Sequence, residues 1–173
     1  QQDRTFAIMS VGIKNFPNEA GYFMLWELSI SEKDSGKRII PIFINENFTL
    51  RPLAGKRIMD VFLDGTSALT VGTVSNVTDD EYRQLEKLSM DFSYNAFVEL
   101  REKQIQRSEE SYNKYMYALR LREEAAGHIG IENIRRSRLA KLAREKASIE
   151  AEYKKGSQIY PDFRLMILVR LEA

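Results

Sequence analysis

The spacing of apolar residues changes along the chain, from a period of two near both ends to a helical period in the middle. A period of two is typical of strands, and it predicts them at residues 5–14, 21–32 and 37–45. Turn residues separate these segments, so we expect an antiparallel meander. Pro41 cannot donate to a β-ladder, which predicts either an edge position or a bulge for the third strand. In the second strand, one face carries Met24, Trp26, Leu28 and Ile30.

Apolar alternation returns at residues 163–171 and predicts a last strand. Because the sheet needs this strand, the helical region before it is expected to be an insertion and not a tail. Residues 52–64 predict a short amphipathic segment lying across the sheet, and residues 66–77 fit either a loop or a further short strand. The core-facing residues of the last strand are expected to be Phe163, Leu165, Ile167, Val169 and Leu171.

Two charged segments, residues 78–126 and 131–153, contain neither proline nor internal glycine, and both predict long helices. Thr78 and Glu81 match a capping box at the start of the first helix, and acidic residues fill its first turn. The first part of this helix has a broad apolar face suited to packing on a sheet. That face consists of Tyr82, Leu85, Leu88, Phe92, Ala96 and Phe97.

Beyond residue 97 the apolar face narrows to a stripe with a seven-residue spacing, which is half of a coiled-coil seam. Gly127 and Gly130 suit a helix C-cap followed by a reversal of the chain. We therefore expect the second helix to pack antiparallel on the first. The stripe consists of Val98, Ile105, Tyr112, Leu119 and Ala126. The expected neighbours across the helices are Ile105 and Tyr153, Leu119 and Arg138, and Met116 and Leu142.

These elements predict an α+β fold. The expected architecture is a small antiparallel β-sheet of four or five strands, packed by helices, with a long projecting antiparallel α-helical hairpin of coiled-coil type. We expect one domain over residues 1–173, in which residues 1–97 and 158–173 form the α+β body. Residues 98–157 form the inserted hairpin.

Composition narrows the class of protein without naming a function. The 173 residues have a mass of 20.1 kDa and a net charge of +1, which does not predict strong steering toward nucleic acid. The chain has no cysteine, so disulfides and thiolate metal sites are excluded, and a reducing cytoplasmic location is expected. No apolar stretch is long enough to span a bilayer, so we expect no membrane contact.

Because the chain starts at Gln1 without a methionine or signal peptide, we expect it to be a piece of a longer polypeptide.

No catalytic, cofactor or metal site is predicted within the chain. His128 is the only histidine, and it falls in the predicted turn, where a catalytic or metal-binding role would lack a structured pocket. Residues 52–57 resemble the end of a phosphate-binding loop, but the first glycine is missing and Arg57 replaces the required serine or threonine. We therefore expect a chain that is not itself an enzyme.

The strongest functional signal is a group of basic residues toward the outer half of the hairpin. Interspersed carboxylates, such as Glu123 and Glu145, leave two interpretations open. The residues contact nucleic acid, or they form the solvated, salt-bridged surface of a coiled coil that contacts only solvent or protein. The candidate contact residues are Arg120, Arg122, Arg135, Arg136, Arg138, Lys141 and Arg144.

The segment from His128 to Leu139, followed by Lys141 and Leu142, resembles the C-terminal region of bacterial Swi/Snf-type, helicase-like ATPases. Pro161-Asp162-Phe163, leading into the last strand, belongs to the same resemblance. In that family, a small β-rich domain with a charged helical hairpin follows the two motor domains. The family's ATP-binding motifs are absent from these residues, so the resemblance carries over no catalytic position.

The resemblance implies a non-catalytic accessory domain of a larger nucleic-acid-dependent ATPase. Its partners would be the upstream motor domains of the same polypeptide, DNA or RNA, or a protein bound through the hairpin. ATP and Mg²⁺ would be needed only in the upstream motor. The alternative is a self-standing protein-interaction module that dimerises through the incomplete coiled-coil seam.

Overall fold

The computed structural model describes residues 5–13, 19–30, 36–64, 69–156 and 160–172. Five strands and three helices occur in this part of the chain. The strands are β1 (Thr5–Ile13), β2 (Gly21–Ser29), β3 (Lys37–Asn45), β4 (Leu69–Thr78) and β5 (Asp162–Glu172). The helices are α1 (Pro52–Asp64), α2 (Asp79–Gly127) and α3 (Glu132–Gly156). The α+β class is therefore confirmed, and residues 69–78 are a strand. The turn predicted around Pro17 lies outside the described residues.

The strands form one mixed sheet in the order β3-β2-β5-β1-β4. The prediction of an antiparallel sheet is wrong at one place, because β5 pairs parallel with β1 and antiparallel with β2. The predicted meander is correct for β2 and β3 but wrong for β1 and β2, since the last strand lies between them. β3 is an edge strand, as Pro41 predicted.

A bulge in β5 changes which of its residues face each side of the sheet. Leu25 of β2 pairs with Ile167, whereas the next residue, Trp26, pairs with Leu165, so Met166 is the extra residue. The prediction of one continuous core face along β5 is therefore wrong. Phe163 stacks on Trp26 with ring centroids 4.3 Å apart. Ile167 is on the opposite face of the sheet and 45% exposed.

Helix α1 covers the β2–β3 half of one sheet face. Its Ile58 is fully buried, and Phe62 stacks on Phe23 with ring centroids 5.4 Å apart. Gly55 allows the close approach, because a Cβ at this position would meet the carbonyl oxygen of Pro41 at 2.8 Å. The core on this face consists of Val11, Ile13, Phe23, Leu25, Phe43, Ile58, Val169 and Leu171.

The N-terminal part of α2 covers the other face of the sheet. The predicted capping box is present, since the Thr78 amide donates to the Glu81 carboxylate at 2.8 Å and the Glu81 amide donates to Thr78 Oγ1 at 3.3 Å. Leu85 is fully buried, as predicted, whereas Phe92 is 39% exposed, contrary to prediction. The helix instead approaches the sheet through Leu85, Ser89 and Ser93.

The two buried serines are satisfied within the helix, because each hydroxyl donates to the carbonyl oxygen four residues earlier at 2.7 Å. Ser89 also lies 3.8 Å from the sulfur of Met24. Small side chains fit here because large side chains of the sheet already fill the space between sheet and helix. Met24 and Trp26 lie on this face and are each exposed by 1% or less.

The chain divides into two compact units. Unit 1 comprises Gln1–Phe97 and Pro161–Ala173, and unit 2 comprises Val98–Tyr160. Helix α2 contributes residues to both units. None of the described helices combines the length and the apolar character needed to cross a bilayer.

Within unit 2, side chains of α2 contact side chains of α3. Residues later in α2 contact residues earlier in α3. Tyr112 stacks on Tyr153 with centroids 4.4 Å apart, and Arg122 Nη1 lies 2.7 Å from Glu145 Oε1. A small core of Leu119, Ala126 and Leu142 is packed by Met116, Ile129 and Ile149.

The predicted register between these helices is wrong at Tyr153, which meets Tyr112 and not Ile105, a shift of about two helical turns. Met116, by contrast, packs against the small core that contains its predicted neighbour Leu142. The prediction assumed that the helices start and end level with each other at the glycines. In the structure, α2 ends at Gly127 and α3 begins at Glu132, so the link of residues 128–131 separates the two helices. Ile131 in this link is 62% exposed, and Ile134 in the first turn of α3 is 47% exposed.

Candidate functional site

All seven predicted contact residues lie in unit 2, and four of them have partners within it. Three arginines bind carboxylates: Arg120 with Glu124 at 3.2 Å, Arg122 with Glu145 at 2.7 Å, and Arg136 with Glu132 at 2.7 Å. Arg135 Nη1 donates to the carbonyl oxygen of Ile129 at 3.5 Å. These four side chains stabilise the helices locally, so part of their charge is already compensated.

The remaining three residues, Arg138, Lys141 and Arg144, are exposed on α3. Within the described ranges, none of the three forms an ion pair with a carboxylate. They recur every third residue, which places successive cations about 4.5 Å apart along the helix axis and about 60° apart around it. The three charges therefore follow a short curved path over the helix surface.

A groove beside this path is lined by both helices of unit 2. Its volume is about 230 Å³. Arg138 and Lys141 border it from α3, and Arg122 borders it from α2. Small and aliphatic side chains complete its lining, namely Ala125, Ala126, Ile129 and Leu142. Cations around an apolar floor can bind a group that combines negative charge with a carbon skeleton.

Unit 1 contains an apolar pocket that sequence reasoning missed. Its volume is about 240 Å³. The lining residues are Leu28, Met90, Ser93, Tyr94, Phe97, Pro161 and Phe163, none of which carries a charge. Trp26, which stacks on Phe163, has an indole N–H without a hydrogen-bond partner among the described residues. The aromatic residues were visible in the sequence, but only the β5 bulge places Phe163 on this face of the sheet.

A connected polar group of unit 1 surrounds Arg170 on β5. Its guanidinium donates to the Tyr22 hydroxyl at 3.2 Å, lies 5.5 Å from the centroid of that ring, and pairs with Glu46. Burial raises the pKa of Tyr22, and the charge of Glu81 raises it further. A tyrosine that keeps its proton and whose hydroxyl accepts from an arginine acts as a structural anchor, and this arrangement provides no nucleophile.

Two further sites considered in the sequence, residues 52–57 and His128, show no sign of a binding site in their described surroundings. The phosphate-loop-like residues 52–57 lie at the start of α1, where Gly55 packs against the backbone of β3. His128 is exposed in the link between α2 and α3. Among the residues that the structure describes, no three histidine or carboxylate side chains group as metal ligands would. Comparison of the chain with protein-family models, with curated protein sequences and with solved structures gives no match.

Proposed function

We propose that this chain is a non-catalytic accessory domain of a larger helicase-like, nucleic-acid-dependent ATPase. In this proposal α2 and α3 form an antiparallel coiled-coil hairpin over residues 98–157. The hairpin contacts the phosphate backbone of a nucleic acid through Arg138, Lys141 and Arg144.

One observation supports the choice of these three residues over the other four. They are exposed cations without a carboxylate partner in the described part of the chain, whereas the other four donate to groups within unit 2. A phosphate that approaches a free cation displaces only water and counterions. A phosphate that approaches Arg122 must also compete with Glu145, at 2.7 Å.

The proposal predicts a defined salt dependence. Three phosphate contacts give a slope of about −2.7 for the logarithm of the binding constant against the logarithm of salt concentration. Binding to duplex then weakens about 40-fold between roughly 50 mM and 200 mM salt. A net charge of +1 supplies little additional long-range attraction, so contacts at these three positions should account for most of the slope.

Fluorescence anisotropy with a labelled duplex tests this prediction. The test variant combines Arg138→Ala, Lys141→Ala and Arg144→Ala. The control combines Arg120→Ala, Arg122→Ala and Arg136→Ala, which removes the same charge from the same unit. We expect the slope to approach zero in the test variant and to persist in the control. Equal losses in both variants, or no binding by the unchanged chain at low salt, would contradict the contact.

The hairpin is tested separately by cross-linking. The chain has no cysteine of its own, so Arg122→Cys and Glu145→Cys introduce the only two thiols. Their parent side chains meet end to end, so we expect a bifunctional thiol reagent that spans the length of the two side chains to link the cysteines within one molecule. A control with cysteines at Ile105 and Glu145 separates the thiols along the helices and should not cross-link within one molecule. Failure of the first pair to cross-link would remove the hairpin from the proposal.

The accessory role is tested by the coding sequence upstream of Gln1. ATP-binding motifs of a helicase-like motor in the same reading frame support the role, and an unrelated upstream domain contradicts it. The alternative, dimerisation through an incomplete seam, is less favoured. Leu119 and Leu142 are already buried to 2% and 5% exposure by neighbours within one chain, so little of the seam remains for a second copy.

A further inference from the structure

The two edges of the sheet differ in their protection against pairing with another strand. Edge strand β3 carries Lys37, Arg38 and Pro41, and charges and proline are the usual means of protecting an edge. Edge strand β4 has ten residues, of sequence LTVGTVSNVT, without a single charge or proline. On the described chain, β1 is the only strand that pairs with β4, so its outer edge has free backbone donors and acceptors.

The sheet face next to this edge is also partly uncovered. Helix α1 packs mainly on β2 and β3, and its side chains reach β1 at the core cluster that includes Val11 and Ile13. Met9 and Val74 are directly paired across β1 and β4 and are 52% and 71% exposed. Ile167 of β5 continues the apolar row and is 45% exposed. Apolar residues on both faces of β1 predict little exposed surface for this strand. This is correct for Ile8, Val11 and Ile13, which are buried, but wrong for Phe6 and Met9, which are 46% and 52% exposed.

We propose that β4 is a dimerisation edge, at which two copies of this chain pair their β4 strands antiparallel and form one continuous sheet. Identical strands that pair antiparallel obey two-fold symmetry without further adjustment. The strand is uncharged, so no like charges on it oppose each other. The exposed Val74 rows of the two copies would then lie side by side on one face.

The neighbourhood of the edge indicates where the two-fold axis lies. Glu172 approaches Gly72 so closely that a Cβ there would meet its carboxylate oxygen at 2.9 Å. The ladder with β1 is also irregular between Met9 and Val11, opposite this part of β4. Both features disfavour pairing at the N-terminal end of β4. An axis near Ser75 keeps the central pairs within the regular part of the ladder, from Val74 to Thr78, and sets Val74 of one copy opposite Asn76 of the other.

Sedimentation of the whole chain over about a hundredfold range of concentration tests this pairing. We expect the weight-average mass to rise from 20.1 kDa toward twice that value. Val74→Lys should reduce the association constant about fivefold, because it places two like charges on one face about 7–8 Å apart across the axis. Val74→Glu should do the same. An equimolar mixture of the two variants should recover association, since opposite charges then face each other.

Ile39→Lys, on the protected β3 edge, is the matched control because Ile39 is 43% exposed. It should leave association unchanged. Trp26 fluorescence reports whether each variant is folded, since Trp26 is the only tryptophan and is 1% exposed. A chain that stays at 20.1 kDa throughout would overturn the proposal. A dimer that persists in folded Val74→Lys, or that the mixture fails to restore, would overturn it as well.

Discussion

The two units of the chain bury apolar surface in different ways. Unit 1 packs aromatic and branched side chains from five strands and two helices, and Trp26, Phe23 and Phe43 are each exposed by 1% or less. Unit 2 has a buried core of Leu119, Ala126 and Leu142, formed by two helices alone. A pair of helices leaves most of its side chains in solvent, so unit 2 can present many charges while unit 1 provides most of the stability.

The largest predicted effect is in the core of unit 1. Phe23→Ala should lower the free energy of unfolding by about 3–5 kcal/mol, since it removes a buried ring that stacks on Phe62. Urea unfolding followed by Trp26 fluorescence measures the change. Leu63→Ala on α1 is the control, because Leu63 is 70% exposed and its truncation should have little effect. Similar midpoints for both variants would show that the sheet core is not the main source of stability.

A smaller effect is expected in unit 2. Leu142→Ala should cost about 2 kcal/mol, at the lower end for buried leucines, because the surrounding cluster is small. We expect the helical circular dichroism to fall at lower urea than in the unchanged chain, while the Trp26 fluorescence midpoint stays the same. Leu121→Ala, at a 48% exposed position of α2, is the control. Coincident shifts of both signals would mean that the two units unfold together and would break the comparison.

The N-terminal cap of α2 should contribute less to the free energy of unfolding than the core of either unit. Thr78→Ala removes the hydroxyl that accepts from the Glu81 amide and should cost about 1 kcal/mol. Because α2 contributes residues to both units, we expect both optical signals to shift. Thr73→Ala on the exposed part of β4 is the control. A shift confined to the fluorescence signal would limit the effect of the cap to unit 1.

The smallest effects are expected for exposed ion pairs, one in each unit. In unit 2, a double-mutant cycle on Arg122 and Glu145 should give a coupling of about 0.5 kcal/mol. In unit 1, a hydrogen bond from Arg51 lowers the pKa of Glu19 below its ordinary value of 4.5. The pair therefore contributes to folding stability above about pH 4.5, and this contribution is lost as the pH falls through the lowered pKa of Glu19.

Glu19→Gln should accordingly make stability less dependent on pH below about pH 4.5, with little change in the core signals. Acid unfolding followed by Trp26 fluorescence measures this, and Asp60→Asn on the exposed side of α1 is the control. If either ion pair contributes as much to the free energy of unfolding as Leu142 does, then charge and not apolar burial accounts for the difference in stability between the two units.

Local features of the sequence predicted the elements well. The Thr78–Glu81 capping box placed the start of α2, the glycine at 127 placed its end, and Pro41 placed β3 at an edge. Each of these signals acts through a few neighbouring residues, because a cap or a missing backbone donor has the same consequence in any fold. The candidate basic residues were likewise visible as a group. Their division into three free and four engaged side chains depended on contacts between residues up to 23 positions apart.

The sequence by itself therefore determined the elements, their caps and the charged character of unit 2. Only the tertiary structure decided that β5 enters between β1 and β2, that Met166 bulges, and that Ser89 and Ser93 rather than Phe92 face the sheet. It also decided the two-turn shift between α2 and α3. Strand order, bulges and helix register are set by which distant surfaces pack best. Apolar periodicity specifies that a face is buried, but not what covers it.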